Sequence, residues 1–181
     1  MTVSLVGSGA LAGGRDRRTR PAEGRGWRLT GALAGAGTYA ATVVAALGLR
    51  RSAAGRRWLG QVRACTESCP RPLRVALLVP AAVGEELYWR ERVVAGGAHG
   101  VGAWRLGLGV LAYAGVQAGS GNPAMVAGGA ALGLVTGALR AGSGSLAPAL
   151  TAHLVFSGLT MIWPGLPAPP GPEPANGRTE L

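Results

Sequence analysis

An all-α, polytopic transmembrane bundle of about five hydrophobic helices is the fold class predicted here, and three observations predict it. The 181-residue chain is 48% hydrophobic with a mean hydropathy above zero, although it carries eighteen basic and eight acidic residues and a formal charge of +10. Its apolar residues, mainly Ala, Leu, Val and Gly, fall in runs without charge, while the arginines cluster between those runs. One such run, Leu29 to Leu49, is by itself long enough to cross a hydrocarbon core of ~30 Å at ~1.5 Å per residue. A bilayer is the solvent that suits this segregation.

The chain divides into four stretches. Residues 1–28 are predicted to be a basic, disordered N-terminal segment. Their first fourteen residues are small and apolar, but the positive cluster Arg15, Arg17, Arg18 and Arg20 follows that stretch, the reverse of a secretory signal's order, so an uncleaved N-terminus is expected. Residues 29–71 hold the first hydrophobic helix and a basic connector. Gly31 and Gly35, one turn apart, suit close helix packing where lipid supplies no hydrophobic drive between helices. The connector contains a predicted short interfacial helix around Arg56 to Arg63, with Trp58 at headgroup depth.

Residues 72–164 are predicted to be a helical core. A second apolar run begins at Leu73 and meets Glu85 and Glu86 before it has covered the bilayer. Three shorter or Gly-rich runs follow: Leu106 to Ala118, extendable backwards through Trp104 with Arg105 snorkelling, then Ala124 to Leu139 and Leu146 to Trp163. They are separated by the turn-like stretches Gly119 to Pro123 and Ala141 to Ser145. Residues 165–181 belong to a tail that, counted from Pro164, holds half of the twelve prolines and is expected to be disordered.

Charge alone leaves the topology open. Six arginines lie between Arg15 and Arg28 and seven between Arg50 and Arg74, so the positive-inside rule draws both ends of the first run to one side. Either that run is re-entrant or the rule is violated once. All eighteen basic residues are Arg, and with the abundant Ala and Gly this fits a GC-rich bacterial source, which makes a multi-pass place in a bacterial inner membrane the expected location. A pI near 11.5 would also fit nucleic-acid binding. Arginines flanking apolar runs have a commoner explanation in cytoplasmic anchoring and anionic lipid, so a lipid bilayer and no nucleic acid are expected as partners. Cys65 and Cys69, read as a loop pair with no histidine nearby, lack the other ligands of a zinc knuckle and are expected to be free thiols.

The chemistry lies in GEELYWRER, Gly84 to Arg92. On a helix Glu86 and Arg90 are four apart with the acid N-terminal, the favourable order for an ion pair, whereas Glu85 points ~100° away beside Trp89. An acid at membrane depth costs ~2.5–3.5 kcal/mol on insertion scales, so a second one without a partner in its own helix normally marks a polar cavity. The competing structural reading sets both glutamates at a helix end in the interface, anchored by Arg90 and Arg92. In the last run His153 and Ser157 are also four apart and share a face; a lone packing histidine is the alternative there. Gln117 ends LAYAGVQ, with Tyr113 one turn before it.

Taken in order, E-E-x-x-x-R, an aromatic-x-x-x-polar step, an S/N-x-P turn, a Gly-rich helix, a GS-L-x-P lead-in and H-x-x-x-polar resemble the CAAX-protease and bacteriocin-processing family, also called the abortive-infection family. The resemblance covers roughly residues 72–164. Glu85, Glu86 and Arg90 fit the first motif. In the second, Tyr113 stands where the family usually has Phe and Gln117 where it has His; in the third, His153 fits and Ser157 replaces Asn or Asp. The resemblance implies an intramembrane endopeptidase in which Glu85 is general base, Glu86 and Arg90 orient the motif, and His153 and Ser157 donate to the oxyanion. The family, long described as zinc-dependent, is now understood as glutamate-dependent.

Replacing the second-motif histidine leaves only Glu85, Glu86 and His153 in motif positions, so neither a metal nor another cofactor is expected. Gln117 can hydrogen-bond a water but cannot take its proton, which leaves Glu85 unaided and lowers the expected rate ~10²- to 10⁴-fold. His99, in the GGAHGVG connector, is expected to be an exposed loop residue. The glycines form no phosphate loop, because no GK[ST] accompanies them.

The leading expectation is therefore a glutamate-type endopeptidase acting on a membrane-embedded peptide or protein. Its rival is a non-catalytic family member that binds peptides or confers bacteriocin self-immunity, a reading Gln117 favours. A small channel or transporter would also put carboxylates and a histidine inside a bundle, but no inverted repeat recommends it.

Overall fold

The computed structural model describes residues 25–94 and 103–162, and these form six α-helices and one π-helical segment without a strand. Helix α1 spans Arg25–Leu49, α2 Ala53–Glu67, α3 Arg71–Glu86, α4 Ala103–Ala118, α5 Pro123–Ser143 and α6 Ala147–Ile162; the π-segment Leu87–Val94 continues directly from α3. The all-α bundle is as the apolar runs predict. Among the described residues, α1 and α5 are each long and apolar enough to cross a membrane, and α6 is a shorter apolar helix.

Several boundaries differ from the sequence reading. Helix α1 starts at Arg25, so the last four residues of the stretch expected to be disordered are helical; Trp27 among them packs against the buried cluster of Leu139, Ala149 and Ala152 and holds this first turn in place. The helix runs unbroken for 25 residues, about 37 Å, which removes the break that a re-entrant segment requires. Helix α2 is twice the expected length because Ser52 caps it early, its side chain accepting from Gly55 N at 3.0 Å. Cys65 consequently lies in α2 rather than in a loop, and both cysteines are free. Helix α5 runs on through Ser143, well past Leu139, and stops at Gly144, whose φ of 66° is the left-handed conformation glycine adopts without strain. Its N-terminus is fixed by Asn122, which accepts from Ala124 N and Met125 N ahead of Pro123 and donates to Trp58 O and Gln61 Oε1, tying α2 to α5. The connector carrying His99 and the tail beyond Ile162 lie outside the described residues, as do residues 1–24.

The bundle is held by small residues. Helices α1 and α6 run parallel with their backbones in contact: a Cβ at Gly31 would lie 2.3 Å from Pro148 O, and one at Gly35 would lie 2.3 Å from Ala152 O. Ala149 and Ala152 are fully buried in this seam, while Leu29, Leu33, Val44, Leu73, Val79 and Leu111 are about half exposed or more. Small side chains inside and large apolar ones outside is the arrangement a lipid solvent selects. Gly35→Val is expected to disrupt the seam more severely than the ~1–3 kcal/mol of ordinary overpacking, because the clash is with backbone. Thermal unfolding in detergent checks this, with Gly37→Val, where a Cβ meets nothing, as the control.

Helices α4 and α5 pack antiparallel, Tyr113 against Gly133 and Gln117 against Gly129. Helix α3 lies antiparallel beside α6, so its C-terminal glutamates meet the first half of α6.

Candidate active site

Pro80 removes one amide donor from α3, and just beyond Glu86 the helix widens into the π-segment. Such widened turns are uncommon and cluster at functional sites. The junction falls between the paired glutamates and their arginine, yet the pair expected from i,i+4 spacing survives it: Arg90 Nε lies 3.3 Å from Glu86 Oε2, both side chains almost wholly buried. The contact is one of charge rather than a hydrogen bond, since Oε2 has no bonded donor. Arg90 directs Nε (2.7 Å) and Nη2 to Thr136 Oγ1 on α5 instead. One turn further along α5, Arg140 grips Glu91 through two bonds of 2.8 and 3.2 Å. The π-segment is thus fastened to one face of α5.

The two glutamates part company in their partners. Glu86 Oε1 lies 2.9 Å from His153 Nδ1 on α6. A carboxylate there holds the proton on Nδ1 and leaves Nε2 as the working nitrogen. Glu85, ~100° around the helix, accepts a 2.7 Å hydrogen bond at Oε2 from the Tyr113 hydroxyl of α4. Tyr113 is buried, with its ring edge-on to Trp89 and the Arg90 guanidinium 5.2 Å from its centroid.

Glu85, His153 and Ser157 line one cavity of about 310 Å³ between α3 and α6. No described residue bonds the Ser157 hydroxyl. The structure therefore brings five of the six candidate residues together: Glu85, His153 and Ser157 on the cavity, with Glu86 and Arg90 behind them. It does not bring in Gln117, whose side chain packs against Gly129 and does not line the cavity. The expectation that Glu85 stands unaided changes accordingly, because the hydroxyl beside it comes from Tyr113, one turn earlier on the same helix. Among the described residues no three His, Cys, Asp or Glu side chains are grouped as a metal-ligand set. With Glu86 committed to His153 and Arg90, these side chains do not fit a three-ligand zinc site.

The sequence reading missed Thr136, Glu91, Arg140 and the polar role of Tyr113. The first three form pairs across more than forty residues, which no local spacing reveals. Tyr113 did carry a signal: an aromatic with a hydroxyl at a position where the resemblance calls for phenylalanine.

The model of the family described as type II CAAX prenyl endopeptidase Rce1-like matches residues 69–159. The chain belongs to this family. The matched stretch contains all six candidate residues and runs from Cys69 to within three residues of the end of α6. The family is one of CAAX-type intramembrane proteases, and the two long apolar helices of this Rce1-like chain agree with a membrane protein. Comparison with curated proteins and with solved structures finds no match.

Proposed function

We propose that this Rce1-like protein is a glutamate-dependent intramembrane endopeptidase, with Glu85 as general base and His153 and Ser157 as donors to the oxyanion. The observation that carries the reading is the shared cavity, in which Glu85, His153 and Ser157 border one space. Tyr113 occupies Oε2 of Glu85, so Oε1 is the oxygen left to take a proton from water. The hydroxide so formed adds to a peptide carbonyl, His153 Nε2–H and the Ser157 hydroxyl stabilise the tetrahedral oxyanion, and Glu85 returns the proton to the departing amine as the C–N bond breaks. With Nδ1–H turned to Glu86, the donor at Nε2 belongs to the doubly protonated ring. The substrate is a membrane-embedded peptide or protein, and the chain is a multi-pass protein of a bacterial inner membrane, supported by the two full-length apolar helices and the all-Arg basic composition.

The test is peptide hydrolysis by protein reconstituted into lipid vesicles, lost in His153→Ala; retained turnover would refute the assignment. Tyr113→Phe is expected to lower kcat ~10- to 100-fold, the worth of one hydrogen bond to a charged group, with KM unchanged. Steady-state kinetics on the same vesicles reads both constants.

A second reading rests on Gln117, which lies off the cavity: a non-catalytic member that binds peptides or confers bacteriocin self-immunity. It predicts no hydrolysis by the natural protein together with saturable peptide binding. Measured turnover by the natural protein would dismiss it.

A further inference from the structure

A second cavity, of about 300 Å³, lies where the later part of α1 and the end of α6 meet α2 and the start of α3. Four charged side chains line it: Arg63, Glu67, Arg71 and Arg74. Arg63 is spent on Glu67 at 2.7 Å. Arg71 and Arg74 have no acidic partner among the described residues, and Arg74 Nε is sealed from solvent without a hydrogen bond. The wall therefore carries two uncompensated positive charges. Both stand in the first turn of α3, which holds no acid and no side-chain cap. A helix N-terminus is the positive end of its dipole, so two cations there oppose it as well as each other, and an anion relieves both. The threonines of the wall, Thr42, Thr66 and Thr160, donate to carbonyls of their own helices, which leaves the guanidinium groups to meet that anion.

The adjoining cavity has a different character. About 410 Å³ in volume, it lies between α1 and α5 and shares Thr42, Ala46, Leu59 and Ala124 with the first. Apart from Thr38 and Thr42, whose hydroxyls are bonded within α1, its lining is apolar, and the small residues Ala41, Ala45, Ala127, Gly128 and Ala131 keep it open. From Ala124 to Val135 it follows α5 for eleven residues, ~16 Å, about half of a ~30 Å hydrocarbon core. A cationic chamber thus adjoins an apolar groove as deep as one leaflet.

We infer that the two cavities together hold one anionic phospholipid, its phosphate between Arg71 and Arg74 and an acyl chain along the α1–α5 groove. The headgroup charge matches the unpaired guanidinium groups, and the chain matches the depth of the groove. The α1 and α2 walls precede residues 69–159, the stretch that the family model matches, so the lipid fastens these two helices to the matched core. None of the residues assigned chemistry above lines either cavity, and the inference stands whether or not the chain cleaves peptides.

The experiment uses the full chain, stripped of lipid in neutral maltoside detergent, with binding counted and titrated by native mass spectrometry and thermal unfolding measured alongside. The probes are dioleoyl phosphatidylglycerol, dioleoyl phosphatidylcholine and glycerol 3-phosphate, which carries the phosphate without chains. One phosphatidylglycerol is expected to bind per chain, ~10- to 100-fold tighter than phosphatidylcholine, the worth of a charge-assisted hydrogen bond, and to raise the melting temperature. Arg71→Gln combined with Arg74→Gln is expected to bring phosphatidylglycerol down to the phosphatidylcholine level. Gly128→Leu, where an added Cβ meets nothing within 4 Å, puts a side chain in the groove and is expected to weaken both lipids roughly tenfold, the worth of about two buried methylenes. Equal binding of the two lipids, a preference that survives the arginine substitutions, or uptake of many lipids without saturation at one would overturn the inference. Glycerol 3-phosphate bound as tightly as the lipid, with Gly128→Leu silent, would also overturn it and make the occupant a free phosphate ester. If the arginine variant does not fold, Gly128→Leu carries the test by itself, and undiminished phosphatidylglycerol binding refutes the site.

Discussion

Glu85→Gln is expected to leave the protein folded and to lower peptide turnover by roughly two to four orders of magnitude, the usual worth of a general base. The substitution keeps the shape of the side chain and an amide oxygen to accept from Tyr113, so no buried donor is stranded. What disappears is the ability to take a proton from water. Glu85 lies on the cavity wall and carries none of the long-range ties that hold the π-segment to α5. Measured kcat on reconstituted protein, with thermal unfolding beside it, separates the two effects. A large fall in melting temperature with unchanged turnover per folded molecule would show that the base has been misassigned.

Its neighbour should behave in the opposite way. Glu86→Ala removes the carboxylate that faces both Arg90 and His153 in a site with essentially no solvent access. Breaking a buried pair by deleting one partner costs about 3–5 kcal/mol, because the remaining charge is neither solvated nor compensated. Arg90 would keep Thr136, and His153 would lose the bond that fixes its orientation. Unfolding of Glu86→Ala in detergent, compared with Glu86→Gln, checks this: the alanine variant is expected to be strongly destabilised and the glutamine variant less so, since an amide can still hydrogen-bond His153. Equal stability of Glu86→Ala and the natural protein would mean that the pair does not stabilise the bundle. Adjacent glutamates with opposite outcomes, one chemical and one structural, are what the two sets of partners predict.

The local part of the site was legible in the sequence because helical spacing carries it. Glu86 and Arg90, and His153 and Ser157, share faces through i,i+4 periodicity, and Gly31 with Gly35 announced the close seam that α1 makes with α6. Helix ends were less legible, since caps such as Ser52 and Gly144 extend or stop a helix independently of its apolar run. The assignment of a role beside Glu85 to Gln117 followed from motif position alone. A motif position fixes where a residue stands along its helix, whereas the direction of its side chain depends on the packing of α4 against α5.

By itself the sequence determined that this chain is a helical membrane bundle with a glutamate pair, an arginine and a histidine at spacings that suit a polar site. That much follows from hydropathy and from the 3.6-residue turn. Only the tertiary structure decided which partner each carboxylate takes: His153 and Arg90 for Glu86, Tyr113 for Glu85. Consecutive residues on a helix point ~100° apart, so each glutamate meets a different neighbouring helix, and which helix stands there is settled by how the small-residue seams let the bundle close.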